Sequence, residues 1–474
     1  SELTDVRGTA VVKKNRSEWE PLTRDASRFV TDGKLVLLPS FEEAAQDKQA
    51  FARMTALLQK ETNAHNGRPL LQAHGDQAVF LNSPPLPLSE AEMDGLYALP
   101  FARRPHHAYG TAKIPAFETV KHSVVTMRGC FGGCSFCSIT EHEGRIIQSR
   151  SEQSVLDEVR QLSRMDGFPG VVTDVGGPTA NMYKLHCRDS KVEAACRRLS
   201  CVHPGICENL VTNHDPLVRL LRKVRSEKGI KRVFIASGVR YDLAERSPEF
   251  IRELAAHHTG GQLSVAPEHV DPKVLDKMKK PGVESYERFA RAFCQASDAA
   301  GKEQYLVPYF ITGHPGSTLR DTIDLARYLK RNDLRPRQVQ DFIPTPMSIA
   351  TAMFYTGLDP FTGEAVPVAR GLRDKRLMKA LIFWWDEAHW PMAREALKMA
   401  GRSDLIGTSE QALIPPARPG EDGRWYKNER VERGSRSASR GRAPDAQGGG
   451  GRGQRGDAPR EGAAPPRARG RLRK

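Results

Sequence analysis

The sequence predicts an α/β fold centred on an incomplete barrel of six strand-then-helix units, a partial (β/α)6 arrangement. Three observations predict it. Six short apolar runs recur after residue 120: Ser123 to Met127, Gly170 to Val175, Arg232 to Ala236, Gln262 to Ala266, Tyr305 to Ile311 and Gln338 to Ile343. Helical stretches lie between most of them, and such alternation argues for a parallel sheet with right-handed crossovers. Glycines and polar residues follow the runs, as they do at the carboxyl ends of strands where such sheets bind ligands.

Each element has its own signal. Residues 1–115 read as a partial N-terminal α/β region. In it Lys34-Leu35-Val36-Leu37-Leu38 reads as a buried strand. Pro39-Ser40 then leads into a helix, with Ser40 as N-cap and Glu43 three residues on. Ala78 to Leu81 reads as a second short strand, and Asn82 to Pro87 as a stiff linker. The barrel core covers 116–370, with helices expected over 151–164, 216–225, 248–257, 272–279, 286–300 and 318–331. Pro216, Pro248 and Pro272 stand at or near helix starts, where a missing N–H costs little. Residues 371–430 read as a C-terminal helical cap. Helix is expected over 371–402, where Leu381, Ile382, Phe383, Trp384, Trp385 and Trp390 supply core. From 431 the chain is rich in Arg, Gly, Ser, Pro and Ala, cannot bury enough surface to fold, and is expected to be disordered.

Composition narrows the function classes. With 474 residues there is room for roughly two to three domains. No run of about 18 apolar residues is present to span a membrane, and no basic-then-apolar leader opens the chain. The first residue is Ser1, which suggests a fragment or a trimmed product. The net charge is +15, but Arg433 to Lys474 carries twelve Lys/Arg against three Asp/Glu. Nine of the fifteen net charges therefore lie in the tail, and the preceding chain is only mildly basic. The tail could contact nucleic acid, yet no Phe or Tyr follows Tyr426 to stack on bases. A solvated charged tail is the simpler reading. All eight cysteines fall between Cys130 and Cys294. Their clustering, without an export signal, favours metal ligation over disulfides and a reducing, cytoplasmic setting.

The chemistry is expected at Cys130-Phe131-Gly132-Gly133-Cys134-Ser135-Phe136-Cys137, directly after the first barrel strand. A thiolate triad can hold three irons of a cubane cluster and leave the fourth open to a small molecule. An open coordination position signals catalysis rather than structure. The alternatives are a tetrahedral zinc site completed by His142, or buried free thiols. The two glycines let the loop fold tightly around a bulky group. A second group, Cys187, Cys196, Cys201 and Cys207, lies between strands two and three. It reads either as a second metal site, iron–sulfur or zinc with His186 and His203 in reserve, or as scattered buried thiols. Cys294 reads as a core or half-buried thiol.

The expected rim carries Gly176-Gly177-Pro178, Ser237 to Arg240, Pro267-Glu268-His269 and Gly313 to Gly316. Arg240 and Tyr241 could pair with a carboxylate of cofactor or substrate. Glu268, His269 and His314 could orient a ribose or a substrate. His257-His258 reads as a helix-end cation.

These residues carry a resemblance. C-x3-C-x-aromatic-C after the first barrel strand resembles the radical S-adenosylmethionine (SAM) superfamily, and Gly176-Gly177 resembles its glycine motif. The usual acidic third residue is Pro178 here. Ala266-Pro267-Glu268-His269, Met278-Lys279-Lys280-Pro281-Gly282 and Gly313-His314-Pro315-Gly316 also resemble the superfamily, while Gln304 to Phe310 and Pro344-Thr345-Pro346-Met347 resemble the YgiQ-type family in particular. Members of that family carry a longer N-terminal region.

The resemblance implies a TIM-type radical SAM barrel. Cys130, Cys134 and Cys137 would hold three irons of a [4Fe–4S] cluster whose open iron takes the amino and carboxylate groups of SAM. Phe136, Gly176, Gly177, Ser237, Arg240 and Glu268 would contact the cofactor. An electron from a flavodoxin- or ferredoxin-type donor would cleave SAM to methionine and a 5′-deoxyadenosyl radical, which abstracts hydrogen from an unassigned substrate. Two other readings stand beside it. One is an RNA-modifying, methylthiotransferase-like enzyme, against which the lack of cysteines before Cys130 counts. The other is a non-catalytic iron–sulfur or zinc-binding protein, which leaves the glycine rim unexplained.

Overall fold

A computed structural model describes residues 6–24 and 35–418. The charged tail from 431, and the cap beyond 418, lie outside the described residues, as does Lys34.

The N-terminal region is mixed α/β. Four strands, β1 (Ala10–Lys13), β2 (Val36–Leu37), β3 (Leu70–His74) and β4 (Gln77–Leu81), form one sheet in the order β1-β4-β3-β2. β4 pairs antiparallel with β1 and β3, while β2 lies parallel to β3. Ser40 starts helix Phe41–Gln46 with the expected reciprocal cap: its Oγ accepts from Glu43 N and its N–H donates to the Glu43 carboxylate.

The six apolar runs all contain strand, in shorter pieces than expected. The first is split at Thr126 into β5 (Ser123–Val125) and β6 (Met127–Arg128). β5 lies parallel to β9 (Asp174–Gly176), while β6 turns away and pairs antiparallel with β7 (Gln148–Ser149). The cysteine loop is thus an excursion between β6 and β7. Arg150 N donates to Thr126 O at 2.9 Å and closes its base. The second run gives β8 (Val171–Val172) and β9, and β8 lies parallel to β10 (Arg232–Val233). The last three, β11 (Gln262–Glu268), β12 (Tyr305–Thr312) and β13 (Gln340–Asp341), form a parallel sheet in that order.

Helices follow the strands as parallel pairing requires. They run Glu152–Ser163, Asp215–Ser226, Pro248–Glu253, Pro272–Met278, Val283–Ala299 and Leu319–Arg331. The apolar faces of Glu152–Ser163, Asp215–Ser226, Pro248–Glu253 and Val283–Ala299, with the first four strand runs, build one core that includes Val159, Leu221, Val233, Phe250 and Phe289, while Pro272–Met278 and Leu319–Arg331 pack into separate clusters. The Pro248 helix continues through one wide turn, Leu254–His258. That turn carries His258, read from the sequence as a helix-end cation, into the interior: its ring is fully buried, 3.0 Å from Val233 O and 3.3 Å from Glu253. The expected cap helix over 371–402 is instead two helices, Leu372–Ile382 and Trp390–Met399. The break is held by indoles, with Trp390 Nε1 donating to Trp384 O at 2.8 Å and Trp384 Nε1 donating to Leu334 O at 3.2 Å.

Candidate active site at the cysteine loop

The loop after β6 is fastened from four sides. Cys130 N donates to Gly144 O at 3.0 Å, and Thr140 Oγ1 donates to Cys130 O at 3.2 Å. Ser135 N donates to Met278 O at 3.0 Å and its Oγ to Lys277 O at 2.6 Å, tying the loop to the helix after β11. Ala350 N donates to Ser135 O at 2.7 Å, which brings in helix Ile349–Thr356. Ser200 Oγ donates to Gly132 O at 2.7 Å, and Cys201 N to Phe131 O at 3.0 Å. At Gly133 φ is +63°, and a Cβ there would collide with the Leu199 carbonyl, so a side chain is excluded.

The three thiols are free and half-buried. Gly132 N points at Cys130 Sγ (3.4 Å) and Ile139 N at Cys137 Sγ (3.5 Å). Burial pushes the Cys137 thiol up to about 12 and raises Cys130 as well, with the other loop thiols adding to both. Backbone N–H groups aimed at sulfur favour the thiolate form that metal ligation demands.

Arg240 brings a fixed cation to this loop. Its Nη1 lies 3.8 Å from Cys134 Sγ, and its Nε and Nη2 donate to the two Asp242 oxygens at 2.9 and 2.6 Å. Burial alone would lower the Arg240 pKa, but Asp242, with Cys134 and Cys130, raises it. Its backbone is held by Asn181, whose Oδ1 accepts from Arg240 N (2.8 Å) and whose Nδ2 donates to Arg240 O (2.9 Å).

The other expected residues are placed as follows. Gly176 O accepts from Thr126 N (2.7 Å) and from Thr126 Oγ1 (3.1 Å). A Cβ at Gly176 would strike Ser237 Oγ. Ser237 Oγ itself donates to Asp174 Oδ1 at 3.0 Å, so its hydroxyl serves the strand ends. Phe136 packs edge-on to His314, with ring centroids 5.9 Å apart. Glu268 is buried at the end of β11 with φ +68°, and burial raises its pKa while Lys280 opposes. His269 and His314 are fully buried rather than facing a rim. His314 Nε2 stands 3.3 Å from Ser135 Oγ. His142 is exposed. Asp242, Asn181, Ser135 and Asp174 were not singled out from the sequence. Only Asp242, two residues after Arg240, carried a local charge signal.

The second cysteine group lies against the first. Cys187, Cys196, Cys201 and Cys207 all line a cavity of about 1080 Å3, together with Gly176 and Gly177. Among the described residues no three Cys, His, Asp or Glu side chains are drawn together closely enough for a single metal ion. The donors of the first loop nonetheless fit a cubane: three thiols, directed N–H groups and a buried counter-cation. Each thiolate of such a cluster takes its own iron, a wider spacing than four ligands around one ion.

Comparison with known proteins agrees with this geometry. A family model described as Radical SAM superfamily matches residues 124–329, and one described as Radical SAM N-terminal matches 1–123. A domain of unknown function, DUF3362, matches 337–471. The α/β core that carries the cysteine loop is thus a radical SAM domain, and the chain belongs to that superfamily. Within it, the chain belongs with the UPF0313, or YgiQ, proteins. It is 52% identical over 447 residues to a UPF0313 protein of Rhodopseudomonas palustris, covering 91% of this chain and 66% of the relative. It is also 52% identical over 386 residues to UPF0313 protein YgiQ of Escherichia coli, covering 80% and 52%. The chain thus spans about half to two-thirds of the length of these relatives. Among solved structures, the cobalamin-dependent SAM radical enzyme OxsB aligns with a TM-score of 0.40 at 11% identity, over 92% of this chain and 72% of that one. Among the described residues, no helix is long and apolar enough to cross a membrane.

Proposed function

We propose that this chain is the catalytic core of a radical SAM enzyme, built on a partial (β/α)6 barrel. In this reading Cys130, Cys134 and Cys137 hold a [4Fe–4S] cluster with one open iron. A cluster held there would supply the electron for reductive cleavage of the S–C5′ bond of SAM, the chemistry that gives methionine and a 5′-deoxyadenosyl radical for hydrogen abstraction from a substrate. The observation that carries the reading is the buried Arg240–Asp242 pair pressed on Cys134 Sγ at 3.8 Å. A thiol loop with a dedicated counter-cation is arranged for an anionic cluster.

The chain's own residues orient and shield. Gly176 O already accepts twice from Thr126, which leaves Gly177 and Pro178 for the amino group of SAM. Phe136, held against His314, offers a face to the adenine. Glu268 is positioned for the ribose, and the fastened loop excludes water from the open iron. The electron comes from a flavodoxin- or ferredoxin-type donor in a reducing, cytoplasmic setting, consistent with eight free thiols.

Electron paramagnetic resonance tests the open iron directly. Adding SAM to the dithionite-reduced, reconstituted chain is expected to change the cluster signal. A signal indifferent to saturating SAM would sink the assignment.

A further inference from the structure

SAM cleavage uses none of the four cysteines that line the cavity beside the loop. They are nevertheless gathered by the backbone. Cys187 bridges Leu210, Leu210 N donates to Cys207 O at 3.0 Å, and Cys207 N donates to Cys201 O at 2.8 Å. Cys196 ends helix Ser190–Ala195, and its carbonyl is held by Asn63 (2.8 Å) and Asn66 (3.2 Å) from the N-terminal region. All four thiols are free, half-buried and on the wall of one cavity.

A cation stands on the same wall. Arg145 lines the cavity, and its Nε is buried without a hydrogen-bond partner. Among the described residues its guanidinium makes no hydrogen bond or ion pair. Its charge faces the Glu141 carboxyl and the Cys201 thiol on that wall. Thiolates bound to a metal would give it further anions to face.

We propose that Cys187, Cys196, Cys201 and Cys207 hold a second iron–sulfur cluster, with Arg145 as its counter-cation. Four thiolates would saturate a cubane, so this cluster offers no open iron to SAM and is suited to electron transfer. A single zinc would need the four sulfurs within about 4 Å of one another. Among the described residues no such group is drawn together for a single ion, whereas each thiolate of a cubane takes its own iron.

The proposal does not rest on SAM cleavage, and iron content tests it separately. The full chain with Cys130, Cys134 and Cys137 all changed to Ala is reconstituted anaerobically with iron and sulfide. About four irons and four sulfides per chain are expected to remain, against about eight in the unaltered chain. Adding Cys207→Ala to that variant is expected to bring iron to background. A triad-free variant that holds no iron, or one zinc instead, overturns the proposal, provided its circular dichroism matches the unaltered chain. If the triad-free variant misfolds, Cys187→Ala in the otherwise unaltered chain decides. A fall from about eight irons to about four supports the second cluster, and an unchanged count removes it.

Discussion

Arg240 and Asp242 are both buried, at 8% and 5% side-chain exposure, and the arginine also faces Cys134. Removing one partner of such a pair strands the other charge and costs about 3–5 kcal/mol. Arg240→Ala is therefore expected to lower unfolding free energy in urea by that order. Combining Arg240→Met with Asp242→Leu is expected to recover most of the loss, because no buried charge then remains. If the double variant is no better than the single, the pair is not what Arg240 contributes. Gly133 makes a second residue-scale case. Its left-handed backbone and the Leu199 carbonyl both resist a side chain. Gly133→Ala is expected to cost at least about 1–2 kcal/mol and to reduce iron uptake. Gly144→Ala is the control, since Gly144 has φ +88° but open space around its Cβ position. Equal losses in the two variants would show that the contact with residue 199 contributes nothing.

At the scale of elements, two histidines lock helix and strand ends rather than serve chemistry. His214 precedes helix Asp215–Ser226 and stacks on Phe250 with ring centroids 5.0 Å apart, and His269 follows β11. Burial pushes both pKa values down from 6.5 to about 4. Between those limits the unfolded chain binds more protons than the folded one. Their contribution to stability is thus complete above about pH 6.5 and is lost as pH falls toward 4. The melting temperature of the cluster-free chain is expected to drop between pH 7 and pH 5, and less steeply in His269→Gln. A flat profile would mean that these rings are not buried neutral.

What the sequence made legible follows from the same elements. All six strand-bearing runs announced themselves because buried parallel strands read as apolar runs. The Ser40 cap was legible because its signal is local. The β3–β4 hairpin was half missed, although Gly75-Asp76 between two runs is a turn signal. The break in the cap helix was marked by Pro391 at the start of its second half, yet its cause is tertiary: indoles bonding to distant carbonyls. In the site, the spacing of Cys130, Cys134 and Cys137 marked the loop, and the resemblance supplied its reading as a cluster site. Asn181 and Ser135 were not, because their roles arise from contacts 59 and 142 residues away in sequence.

Over the whole molecule, two parts of the chain fasten the cysteine loop and a third fastens the segment that closes over it. The N-terminal region holds Cys196 through Asn63 and Asn66, the β9–β10 segment closes over Gly132, and helix Ile349–Thr356 caps Ser135. These bonds tie the loop of three cysteines to elements distant in sequence. SAM cleavage by the loaded chain is the most direct measurement. The anaerobically reconstituted chain, reduced with dithionite, is expected to release methionine and 5′-deoxyadenosine from SAM, and Cys134→Ala is expected to release neither. Equal release by Cys134→Ala, or none by the fully loaded chain, would contradict the assignment of Cys130, Cys134 and Cys137.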